Sequence, residues 1–124
     1  MVIGVFGLAL VASGVFPMDP MRGYPPGTPD ATPATFSMRH RLHDWAGIIV
    51  FTSVPAAAAI AAFTLPAPMW QWWSGIACAG ATAGFISFGQ AWEKDSPSAG
   101  VTQKATIILG WIWLATLFAY MATR

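Results

Sequence analysis

Five consecutive residues, His40-Arg41-Leu42-His43-Asp44, hold two imidazoles and a carboxylate. Side chains three and four apart share one face of a helix, so on a helix His40, His43 and Asp44 converge, and Gly47 leaves room one turn further on. Imidazole nitrogens and carboxylate oxygens at that spacing are the donors a zinc ion or a similar divalent metal takes, with Asp19 or Glu93 as a third or fourth ligand. A metal-activated water at a membrane surface would hydrolyse a lipid or an amide. In that reading Asp19, His43 and Asp44 are the candidate catalytic residues, and His40, His43, Asp44, Asp19 and Glu93 the candidate metal ligands.

A plainer reading stands beside it. A helix end at a membrane interface routinely carries His, Arg and Asp as snorkelling or capping groups, and an Asp near a helix start meets the favourable end of the dipole. His-x-x-His-Asp is shorter than a full zinc-protease signature, so structural capping is the first expectation. Asp19 could equally turn its loop or pair with Arg22, and Glu93-Lys94 reads as a solvated helix end. Gln90, one turn inside Lys94, is a polar amide in an apolar run and is expected to line a polar cavity. With Thr52, Ser53 and the helix-kinking Pro55 it also suggests a transporter or channel subunit.

The elements that must position these groups follow from composition. The 124 residues are 56% hydrophobic and only 9% charged, with a mean hydropathy of +0.56. A soluble domain carries roughly a quarter charged residues. So little charge cannot cover a water-facing surface, and the apolar excess must face either lipid or a large partner, of which lipid is the simpler answer. The formal net charge of +1 leaves no basic stripe for a phosphate backbone, which excludes nucleic acid as a partner. The single cysteine, Cys78, excludes an internal disulfide and a Cys-based metal knuckle.

Four apolar stretches predict an all-α transmembrane helix bundle in one domain, 1–124, with spans at approximately 1–16, 38–65, 69–92 and 103–122. A span needs about 20 residues at 1.5 Å each, and the first stretch falls short. It also starts inside its apolar run with no basic flank, as an N-terminally shortened chain would; without Lys or Arg it lacks the n-region of a signal peptide. Between the first two spans, 17–37 contains six of the ten prolines and reads as an extended polar loop, with Ser37 an N-cap for the second helix. Trp70, Trp72 and Trp73 suit an interfacial belt, whereas Trp111 and Trp113 lie deep and read as packing residues. Gly80 and Gly84 have the small-xxx-small spacing of close helix contact, expected inside the chain, with a homo-oligomer as the other use.

Alternating spans gather Asp19, Arg22, Asp30, Arg39, Arg41, Asp44, Glu93, Lys94, Asp95 and Lys104 on one face and leave Arg124 opposite. The positive-inside count alone would make that face cytoplasmic.

Phe16-Pro17-Met18-Asp19-Pro20, Gly23-Tyr24-Pro25-Pro26-Gly27-Thr28-Pro29 and Leu42-His43-Asp44-Trp45-Ala46-Gly47, continuing into Gln103-Lys104 and Gly110-Trp111-Ile112-Trp113, carry a resemblance over essentially the whole chain. The sequence resembles the bacterial and archaeal membrane proteins grouped as DUF family 998, a domain of unknown function. The resemblance implies a fold of about six transmembrane helices, of which these are the last four. It places the family's recurring polar residues on Asp19, His43 and Asp44, and it implies an extracytoplasmic polar face. No reaction comes with it. The expectation is a multi-pass integral protein of the cell membrane, embedded in the bilayer, with a polar site made by the Pro-rich loop and the His40–Asp44 helix head. Its ligand would be a lipid or small molecule, and a metal-dependent hydrolase is the alternative.

Overall fold

The structure, a computed structural model, describes residues 1–123; Arg124, which the sequence puts on the opposite face, lies outside them. The described residues form four helices and no sheet: α1 (Val2–Val15), α2 (Met38–Thr64), α3 (Pro68–Glu93) and α4 (Ala99–Ala122). This is the all-α helical bundle with a long loop between its first two helices that the apolar pattern predicts.

Proline chemistry sets most of the boundaries. A residue before proline is pushed out of the helical region, and Phe16, preceding Pro17, ends α1 at φ −108°, ψ 90°. Leu65-Pro66 stops α2 in the same way, and Pro68 opens α3, where a missing N–H costs nothing. α4 begins at Ala99 rather than at 103, because beyond Pro97 nothing forbids helical backbone. Pro55 sits within α2, which continues through it.

Two helices, α2 and α4, are long and apolar enough to cross a membrane. α3 has 26 residues but is diluted by Gln71, Ser74, Thr82, Ser87 and Gln90, and α1 has only 14. Only 39% of the apolar window of α2 and 22% of that of α4 is buried by protein, which is not the burial of a soluble core helix.

Contacts divide the chain into two compact units, one comprising Ile3–Val50 and the other beginning at Phe51. In the second, α3 and α4 pack antiparallel. Trp73 Nε1 donates to Thr116 Oγ1 at 2.9 Å, and the buried Trp113 Nε1 donates to buried Ser74 Oγ at 3.1 Å. Further along, a Cβ on Gly80 would meet Leu109 Cδ2 at 2.7 Å, and one on Gly84 would meet Thr106 Cβ at 3.1 Å. The small-residue spacing thus serves contact within the chain. Val54 of α2 lies against Gly110, and Phe51 stacks on Phe85 and Phe88, each with ring centroids 5.4 Å apart.

Two expectations from the apolar runs need correction. Trp113 packs, but Trp111 is 58% exposed, because two residues along a helix turn the side chain to another face. In the segment expected to form an aromatic belt, Trp72 points outward and Trp70 stacks on Tyr120 at 4.5 Å, which leaves that expectation unaltered. Gln90 is exposed at the end of α3.

Candidate functional site

In the first unit the polar loop folds back on the head of α2. Its first half is built on a two-residue turn: Met21 and Tyr24 exchange backbone hydrogen bonds of 2.9 Å in both directions. Arg22 and Gly23 between them have φ of 51° and 74°. Two successive positive φ values define the tight hairpin turn that favours glycine at its second position. Arg22 N–H then donates to Ala31 O and Gly23 N–H to Pro29 O, tying both arms of the loop together, and buried Met21 anchors the turn.

This loop delivers Asp19 to Ser37. The Asp19 carboxylate accepts the Ser37 amide at Oδ2 (2.7 Å) and the Ser37 hydroxyl at Oδ1 (2.6 Å). Ser37 Oγ in turn accepts the His40 amide at 3.2 Å, which is the N-cap bond expected of it. Asp19 closes the ring by donating its own N–H to His40 Nδ1 at 3.0 Å. The two hydrogen bonds from Ser37, the hydroxyl's first and the amide's second, hold the Asp19 carboxyl below its ordinary value of 3.8 against the opposing effect of desolvation.

His40 is the centre of the arrangement. Its ring is 1% exposed and stacks on Phe36 with centroids 4.1 Å apart. Because Nδ1 accepts from an amide, the neutral ring carries its proton on Nε2. That nitrogen faces Asp44 Oδ2 at 3.4 Å, an attractive approach longer than a good hydrogen bond, and Asp44 is half exposed.

His43 does something different. Its Nδ1 lies 3.0 Å from Ser13 O and 2.9 Å from Phe16 O. Both partners are carbonyls, so Nδ1–H donates to them and satisfies orphan acceptors at the end of α1. The Ser13 hydroxyl is 3.4 Å from the same nitrogen, which already carries its proton and cannot serve as a base for it.

The structure therefore brings Asp19, His40 and Asp44 together, while His43 turns to α1 and Glu93 belongs to the other unit. Asp19 and Asp44 approach opposite nitrogens of His40, at 3.9 and 3.4 Å. The two lone-pair directions of an imidazole diverge, so these carboxylates do not meet at one point. Among the described residues no three His, Cys, Asp or Glu side chains group as a metal site. Phe36 and the Ser13 and Phe16 carbonyls went unanticipated. An aromatic residue just before an N-cap, where a residue often packs onto the first turn, is the signal that could have found Phe36.

Fold and site together define an all-helical protein, two of whose helices are long and apolar enough to cross a membrane, with a folded polar loop clamped onto one helix head. The family described as Protein of unknown function (DUF998) matches residues 1–120, and the chain belongs to it. No curated protein and no solved structure matches the chain at a significant level.

Proposed function

We propose that the chain is a multi-pass integral protein of the cell membrane whose Pro-rich loop and α2 head form a rigid, extracytoplasmic headpiece. The headpiece binds a partner or a lipid headgroup and does not turn over a substrate. One observation carries this reading: Asp19, His40 and His43 are committed to holding the loop. Both Asp19 oxygens are engaged by Ser37, His40 Nδ1 by the Asp19 amide, and His43 Nδ1 by the end of α1. A hydrolase needs such atoms free for a metal or a proton. Bonds of this kind instead make a loop of six prolines hold one shape, which favours a recognition surface.

Topology and metal content test the two parts of the reading. Single cysteines at Thr28 and at Ser98, in a Cys78→Ser background, should both react with a membrane-impermeant maleimide added to intact cells. Labelling of neither would place the loops on the cytoplasmic side. Zinc recovered at one equivalent per chain, and lost in His43→Ala or Asp44→Asn, would replace the binding reading with the hydrolase.

A further inference from the structure

An open apolar groove of about 350 Å³ runs along the first unit between α1 and the first turns of α2. Leu8, Ala12 and Phe16 line it from α1, and Leu42, Trp45 and Ile49 from α2. Leu8 and Trp45 are 74% and 66% exposed, so the protein leaves the groove uncovered. Along α2 it extends about 11 Å from Leu42 to Ile49, at 1.5 Å per residue.

The charge above the groove is one-sided. At about 100° per residue, Arg39 and Arg41 project on either side of the direction in which Leu42, Trp45 and Ile49 point. His40 and Asp44 fall on the opposite side of the helix, the side clamped by Asp19. Both arginines are exposed, and among the described residues neither side chain makes a hydrogen bond or ion pair. The first amides of α2, at Met38 and Arg39, have no intrahelical acceptor and carry the positive end of the dipole.

The geometry points to a binding site for an anionic phospholipid, its phosphate between Arg39 and Arg41 at the start of α2 and an acyl chain in the groove below. The assignment rests on the membrane-headpiece reading above and gives that headpiece its ligand. Charge complementarity selects the occupant. Two unpaired guanidiniums and free helix amides fit a phosphodiester, and a continuous apolar trough beneath them fits the chain attached to it. A zwitterionic lipid fits less well, because its cationic group would be brought up to the same arginines.

Native mass spectrometry of the full chain released from detergent, with phosphatidylglycerol and phosphatidylcholine of identical acyl chains supplied in equal amounts, tests the site. Phosphatidylglycerol should be retained over phosphatidylcholine by about thirtyfold, the weight of two interfacial arginines. Arg39→Gln/Arg41→Gln should erase that preference, and Ala12→Trp, which fills the groove, should lower retention of both lipids. Glycerol phosphate, which has the anion without the chain, should not compete. Equal retention of the two lipids by the native chain, or a preference unchanged in the double arginine variant, would overturn the site and leave the membrane reading standing. Release of the chain from membranes by alkaline carbonate would overturn the membrane reading itself, and the lipid site with it.

Discussion

Replacing His40 by phenylalanine separates the shape of the buried ring from its hydrogen bonding. A phenyl group keeps the volume and the stack on Phe36 at 4.1 Å but removes the acceptor that Asp19 N–H meets at 3.0 Å. A partly buried amide left without an acceptor costs about 1–3 kcal/mol. The approach to Asp44 adds little, since that carboxylate is 52% exposed and water replaces the partner. Better transfer of a phenyl ring to the interior offsets part of the loss. The net cost is about 1–2 kcal/mol, a factor of about 5–30 in the folded-to-unfolded ratio. His40→Ala loses the ring contacts as well and should cost about 3–5 kcal/mol, in the range of buried aromatic truncations. Hydrogen exchange followed by NMR in detergent reads the effect where it arises: the Asp19 amide should exchange about tenfold faster in His40→Phe. Denaturation should rank native above His40→Phe above His40→Ala. An Asp19 amide that exchanges equally fast in native protein and His40→Phe would refute the clamp, as would an alanine variant no worse than the phenylalanine one.

Four further outcomes follow from other contacts. Asp19's carboxyl titrates below its ordinary value of 3.8, so its contribution to stability is present above that pH and is lost as pH falls through the lower, folded value; Asp19→Asn should flatten acid denaturation monitored by loop fluorescence or NMR in that window. Gly84→Ala drives a methyl group into Thr106 and should lower stability by about 1–3 kcal/mol, partly restored by adding Thr106→Ala. Gly89→Ala, where a Cβ meets nothing within 4 Å, should instead stabilise α3 by about 0.5–1 kcal/mol in the same thermal assay. Ser74→Ala strands the buried Trp113 indole N–H and should cost about 1–3 kcal/mol, whereas adding Trp113→Phe removes the stranded donor and makes the pair cost less than their sum.

Helix number, the long loop and the Ser37 cap could be read from the chain because each depends on local rules. Apolar runs mark helices, proline ends them, and a serine before a first turn caps it. The family was readable for a related reason: its marks are short runs such as Leu42-His43-Asp44-Trp45-Ala46-Gly47, which need no folding to recognise. Tertiary structure decided what those residues do. Sequence spacing put His40, His43 and Asp44 on one face, but the faces of successive helical residues are broad. Only the arrival of α1 beside His43 and of the loop beside His40 sent the two imidazoles to different partners. Asp19 and Ser37 are 18 positions apart, and no local rule links an aspartate in a proline loop to a distant N-cap. The groove and the paired arginines above it likewise exist only once α1 lies along α2, since they are a property of two helices and not of either one.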